Sequence, residues 1–177
     1  MASRRANDFT AFYEATFGRT VACAYAVVGD LREAEDAAQE AYVQAWRRWR
    51  DISEYDDPAA WVRHVAVNQA ITRVRRRQTA RRYLRRSRPP ETADPPDLTT
   101  LELVRALRSL TEETRRAVVL HHIADLPVAE IARMEQVAEG TIKARLARGR
   151  WALAARLSEA SDQGSETTDQ GKEVRHA

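Results

Sequence analysis

The chain has 177 residues, 44% hydrophobic and 31% charged, which is apolar enough to fold and long enough for one medium domain or two small helical ones. Its net charge of +3 conceals clustering, since the cations are mostly arginines gathered in a few runs, and a local field is what attracts a polyanion. A single cysteine, Cys23, excludes an internal disulfide and a cysteine-built zinc site, and the absence of a signal-like or bilayer-length apolar run gives a cytoplasmic location as the expectation.

Ala, Leu, Arg and Glu dominate and no strand alternation is visible, so the expected class is all-α. Residues 1–7 are polar and expected to fray, with Asn7 or Asp8 as cap of the first helix. Phe9, Phe12, Tyr13, Phe17, Val21, Ala24 and Val28 then recur at helical spacing until Gly29-Asp30 breaks the pattern. A second helix places Ala34, Ala38, Ala41, Tyr42, Ala45, Trp46 and Trp49 on one side and Glu35, Asp36, Gln39, Glu40 and Arg47 on the other. Residues 51–57 read as a loop. Pro58 opens a third helix, where its missing N–H costs nothing. That helix carries Trp61, Val62, Val65, Ala66, Ile71 and Val74, and ends in an acid-free arginine run that includes Arg73, Arg75, Arg76 and Arg77 and continues to Arg88.

Pro89-Pro90 and Pro95-Pro96 stop the helix and mark a linker over residues 87–98. Leu101, Val104, Leu107 and Leu110 form the next helical pattern. Thr111 caps another helix, with Glu112 and Glu113 at its positive end, running to about residue 123. Helices over 127–134 and 139–157 follow. Residues 158–177 are polar and expected to form a disordered tail. The expected layout is therefore two small helical domains, 8–86 and 99–157, joined by the proline-rich linker.

The strongest functional signal lies in residues 126–153. Glu130-Ile-Ala132 sits on a short helix, a turn of about four residues follows, and Gly140-Thr-Ile-Lys-Ala-Arg-Leu-Ala-Arg-Gly-Arg150 comes next. Two helices joined this tightly follow helix-turn-helix logic, in which the second helix enters the major groove. Ile131, Val137, Ile142 and Leu146 can form the apolar seam, while Lys143, Arg145, Arg148 and Arg150 decorate the second helix. A solvated hairpin with surface arginines is the bland alternative, and the pattern favours DNA over it.

These residues resemble the C-terminal DNA-binding domain of extracytoplasmic-function sigma factors of bacterial RNA polymerase. Ala34-Glu-Asp-Ala-Ala-Gln-Glu-Ala-Tyr-Val-Gln-Ala-Trp46 resembles that family's polymerase-binding helix. Trp61-Val-Arg-His-Val-Ala-Val-Asn68, followed by Arg75-Arg-Arg77, resembles its promoter-melting segment. The resemblance spans residues 9–157, and the matches stand in family order on both sides of the linker. It implies a non-enzymatic, cofactor-free factor that brings core polymerase to promoters and helps open the DNA, without membrane insertion and with an anti-sigma factor as a further partner. Glu35, Asp36, Gln39, Glu40 and Trp46 would dock on the clamp helices of the largest polymerase subunit. Tyr55, Trp61 and Asn68 would hold the non-template strand of the minus-ten element, with Arg75, Arg76 and Arg77 on phosphates. For Trp61, core packing competes evenly with base contact. Glu139, Thr141, Lys143, Ala144, Arg145, Ala147, Arg148 and Arg150 would face the minus-thirty-five duplex.

Several positions depart from the family pattern. Gln136 replaces a turn glycine, Ala138 a capping serine, Glu139 a common proline, Ala144 a serine facing DNA and Thr72 a frequent aspartate. The expectation from the first four is altered or weaker reading of the minus-thirty-five element, without loss of the fold, while Thr72 bears on the details of melting. No phosphate loop or histidine–glutamate zinc motif is present, and adjacent His121 and His122 point about 100° apart on a helix and chelate poorly, so an enzyme is not expected. The competing function is a stand-alone helix-turn-helix regulator acting without polymerase. It would need neither the acidic helix nor the Trp61–Arg77 segment. A sigma-like protein that has lost initiation activity is a third reading.

Overall fold

A computed structural model describes residues 2–83 and 98–169. Among the described residues eight helices follow one another: α1 (Ala2–Val28), α2 (Leu31–Arg47), α3 (Trp49–Ile52), α4 (Pro58–Tyr83), α5 (Leu98–Ser109), α6 (Glu112–His122), α7 (Val128–Glu135) and α8 (Glu139–Asp169). The described residues contain no strand, in keeping with the all-α expectation.

Local chemistry sets the boundaries. Gly29 takes φ +62, which only glycine adopts cheaply, and its N–H donates to the Tyr25 carbonyl at 2.8 Å. Extended Asp30 then caps α2 by accepting from the Glu33 N–H at 3.1 Å. Asp57 does the same for α4, accepting from Ala60 N–H at 2.9 Å beside Pro58. Thr111 caps α6 as its sequence suggests. Arg115, buried at the start of α6, donates to the carbonyls of Leu107, Arg108 and Leu110 at 2.9–3.0 Å, satisfying the C-terminal end of α5.

Three boundaries differ from the sequence reading. α1 begins at Ala2, so Asn7 and Asp8 lie inside it rather than capping it. The extra turns are anchored by Arg5, which stacks 5.4 Å from the Trp46 ring and donates to the Trp46 carbonyl. Part of the expected 51–57 loop is helical, because burial of Trp49 and Ile52 folds the short α3. The expected disordered tail at 158–177 starts as helix, with α8 running to Asp169. Extending a formed helix avoids the cost of nucleation, and the Ser158 hydroxyl donates back to the Ala154 carbonyl at 2.9 Å. Residues 170–177 and the proline pairs lie outside the described residues.

Two apolar clusters hold the molecule. Tyr42, Trp49, Ile52, Val62 and their alanine neighbours pack with Phe9, Phe12, Tyr13, Phe17 and Trp61 at one end of α1, α2 and α4. The Tyr42 hydroxyl is satisfied there by Thr16 at 2.7 Å and Thr20 at 3.1 Å. The second cluster crosses between the halves. Cys23, Val27, Val67, Ile71 and Val74 from α1 and α4 share it with Leu107, Val118, Leu120, Ile131 and Ile142 from α5–α8. Each large side chain buried there contributes about 1.5–3 kcal/mol. The two halves are closely seated, and Gly29 lets α5 approach so near that an added Cβ would meet Val104 Cγ1 at 2.5 Å. Among the described residues no helix is long and apolar enough to cross a membrane.

Candidate nucleic-acid interface

α7, a three-residue turn over residues 136–138, and α8 form the expected motif. Gln136 takes φ 55 and ψ 42, the left-handed conformation that glycine fills most cheaply. The Val137 N–H closes the turn on the Ala132 carbonyl at 3.0 Å. Ile131, Ile142 and Leu146 are buried in the seam, with Val137 half-buried against them. Gly149, within α8, lets that helix press on α6: an added Cβ would stand 2.4 Å from Val118 Cγ2.

With one face of α8 buried, its other residues point outward. Thr141, Lys143, Ala144, Ala147, Arg148 and Arg150 are exposed and Arg145 is half-buried. Glu139 is exposed and pairs with Lys143 at 3.6 Å, so the anion that would repel a phosphate lies against a cation. The sequence reading missed Trp151, 83% exposed one residue beyond Arg150. Its position on the helical wheel, opposite Ile142 and Leu146, was the available signal.

The second expected surface lies on α4. Tyr55 is exposed, and Trp61 is half-buried, packed against the aromatic cluster with its ring 5.6 Å from the Arg48 guanidinium. Two turns beyond Trp61, the Asn68 amide lies 3.2 Å from His64 Nε2, while its Oδ1 is buried with no hydrogen-bond partner. Thr72 donates to the Asn68 carbonyl at 2.9 Å, so the departure there serves the helix backbone. Arg75 and Arg76 are exposed. Arg77 is committed to Glu33 at 2.8 Å, and Arg73 to Glu40 at 2.9 Å. The arginine run therefore has acids facing it from α2, invisible in linear sequence.

The α2 residues gather on one face. Asp36, Gln39 and Glu40 are exposed, Glu35 is half-buried, and a groove of about 530 Å³ runs beside them between α2 and α4. Trp46, 42% exposed, and Val43, 50% exposed, edge a neighbouring apolar groove of about 370 Å³ with Phe9, Tyr13 and Tyr42.

Where the halves meet, Glu135 of α7 is nearly buried. It accepts from Arg116 of α6 at 2.6 Å and lies 2.8 Å from His64 Nε2 of α4. Burial pushes its carboxyl up, but the hydrogen bonds and charges of His64 and Arg116 outweigh burial and hold it below the usual carboxylate range. An Arg19–Asp125 ion pair joins the halves at the surface. Between them a cleft of about 490 Å³ sets Tyr55, Trp61, Glu54, Asp56 and Asp57 opposite Glu130, Arg133 and Met134.

Family models match both halves: "Sigma-70 region 2" over residues 12–80 and "Sigma-70, region 4" over residues 100–153. The chain is 29% identical to the ECF RNA polymerase sigma factor SigW of Bacillus subtilis, over 75% of this chain and 80% of the relative. It is 30% identical to SigK of Mycolicibacterium vanbaalenii over 86% of this chain and 83% of the relative. With SigL of Mycobacterium tuberculosis identity is 33% over 68% and 72%. The sigma factor RpoE of Bartonella quintana, solved with the anti-sigma factor NepR, shares the fold, with a TM-score of 0.69 at 22% identity over 85% of this chain and 97% of that one.

Proposed function

The chain belongs to the extracytoplasmic-function sigma factors of the sigma-70 family, and from that premise we propose how its surfaces divide the work of initiation. It directs core RNA polymerase to promoters and promotes DNA opening. The front domain, residues 8–86, grips polymerase and the parted strand, and the back domain, 99–157, grips intact duplex. The observation that carries this division is the outward face of α8. Lys143, Arg148 and Arg150 stand there opposite a buried seam, on a helix whose tight turn sets it apart from its partner.

Lys143, Arg145, Arg148 and Arg150 neutralise phosphates and meet base edges, with Thr141, Ala144 and Ala147 between them. The two alanines suit thymine methyl groups. Glu139 restrains Lys143 until a phosphate competes for it. Asp36, Gln39 and Glu40, with Glu35 at their edge, offer the polymerase a complementary acidic-amide stripe, and Trp46 offers an exposed aromatic anchor. Tyr55, Trp61 and Asn68 hold the non-template strand, and Arg75 and Arg76 track its phosphates. Arg77 joins them only by exchanging Glu33 for a phosphate. The factor works by binding and strand capture in the cytoplasm and catalyses no covalent step. An anti-sigma factor is the natural antagonist, since the RpoE structure contains one.

Run-off transcription with purified core polymerase and fragmented genomic DNA tests the reading. Specific transcripts that need this chain are expected, and tight duplex binding without polymerase would favour the stand-alone regulator instead. Lys143→Ala should weaken promoter docking, whereas Asn68→Ala should impair opening while docking survives. Equal loss of both steps in both variants contradicts the division.

A further inference from the structure

A lone exposed apolar side chain is ordinary on a protein surface. Trp151 is 83% exposed, the most of any large apolar side chain among the described residues, and its place on α8 sets it apart. We propose that Trp151 is a duplex contact: its indole N–H donates to a phosphate of the minus-thirty-five element and its ring covers the adjoining deoxyribose, fixing how far α8 slides along the groove. This rests on the reading of α8 as the duplex-binding helix and adds to it a residue that grips DNA without reading its sequence.

Trp151 follows Ala144 by two helical turns, which places the two about 20° apart around α8 and about 10 Å apart along its axis. Arg148 stands between them. Ala144, Arg148 and Trp151 therefore form one outward stripe, on the side away from buried Ile142 and Leu146. A pose that lets Ala144 meet base edges brings Trp151 to the rim of the same groove. The major groove is about 12 Å wide, and residue 151 lies about 18 Å along the axis from residue 139, so by Trp151 the helix has reached the phosphate wall.

The charge around the ring selects the same partner. Over residues 140–157 α8 carries Lys143, Arg145, Arg148, Arg150 and Arg156 and no acid. A ring set among those cations faces an anionic surface, and a duplex supplies one, with apolar sugar faces between its phosphates. An indole has one donor and no acceptor, which suits a phosphate oxygen and gives no bidentate code for a base. The near end of α8 is poorly equipped for phosphate, since Ala138 has no capping oxygen and Glu139 is an anion. A contact at the far end offsets that loss.

Trp151→Ala and Trp151→Phe test this as full chains assembled with core polymerase on a promoter fragment that run-off transcription returns. Trp151→Ala should weaken binding of the duplex about tenfold at every salt concentration, with the salt slope unchanged because an indole displaces no counterion. Trp151→Phe keeps a ring and loses the N–H, and should lose about threefold. Thermal unfolding should not move in either variant, since the ring is exposed. Ethylating single phosphates of the fragment should reveal one whose modification weakens the wild-type chain but not Trp151→Ala. Undiminished duplex affinity in both variants, while Lys143→Ala weakens it, overturns the indole contact alone, and so do identical ethylation patterns in wild type and Trp151→Ala. A loss already present in assembly with core polymerase before DNA is added also overturns it and makes the ring a polymerase contact. If Lys143→Ala leaves duplex affinity unchanged as well, the reading of α8 as the duplex-binding helix fails and the contact with it.

Discussion

Two residues of the helix-turn-helix carry opposite backbone demands, and magnitudes decide what replacing each does. At Gln136, φ 55 costs an L-residue about 1–2 kcal/mol, while glycine adds unfolded-state entropy worth about 0.5–1 kcal/mol. Gln136→Gly should therefore raise stability by about 0.5 kcal/mol in denaturant unfolding. At Gly149 the trend reverses. Alanine improves helix propensity by about 1 kcal/mol, but its Cβ would lie 2.4 Å from Val118 Cγ2 and 3.3 Å from Thr114 Cγ2, and such overpacking costs about 1–3 kcal/mol. Gly149→Ala should lower stability by about 1 kcal/mol, and an increase would mean that α6 yields easily. The penalty at Gln136 was legible, because the family pattern places a glycine there. The penalty at Gly149 was not, since a glycine in a helix names no neighbour, and Val118 lies on another element.

Among the elements, α7 and α8 were the most legible, because Ile131, Ile142 and Leu146 recur at the period that a buried seam requires and the cations fall between them. Their cap was legible as a defect. The Ala138 carbonyl accepts from Thr141 N–H at 2.9 Å, as at an N-cap, but its side chain offers no oxygen. Ala138→Ser should stabilise the back half by about 1 kcal/mol, and unchanged thermal unfolding would refute it. On the same helix, Lys143→Ala should lessen the steepness of log affinity against log salt by about 1 if Lys143 meets one phosphate. The arginine run of α4 was read less well. Its linear neighbours contain no acid, yet α2 packs alongside and supplies Glu33, Asp36 and Glu40 to Arg77 and Arg73. Pairings between helices depend on how the bundle packs, which hydropathy spacing within either helix does not specify.

At the scale of the whole molecule, the closed packing and the function set a geometric condition. Elements centred on minus ten and minus thirty-five lie about 25 base pairs apart, or about 85 Å along the duplex. A compact chain of this length is about 40 Å across. The closed molecule therefore cannot engage both elements at once, and initiation must separate what the shared apolar cluster and the Glu135 cluster hold together. This was the least legible feature in sequence, because His64 and Glu135 are 71 residues apart and nothing in either segment's pattern names the other as its partner. It has a pH signature whose sign follows from the carboxyl. Glu135 faces His64 and Asn68 from α4 and Arg116 from α6. Burial raises its pKa, but those hydrogen bonds and charges bring it below its ordinary value of 4.5 when the halves are closed. A group depressed in the closed state favours closure fully above its ordinary pKa and loses that contribution as pH falls through the depressed value. The distance between spin labels on Ser53→Cys and Ala154→Cys, exposed positions on opposite halves, should therefore lengthen on acidification below about pH 4.5 before helix content is lost, and Glu135→Gln should abolish that component. The difference between the two profiles isolates Glu135 from the other carboxylates, including Asp125 opposite Arg19, that titrate alike in both proteins. Identical profiles would mean that the apolar cluster alone holds the halves and that this carboxylate does not gate their separation.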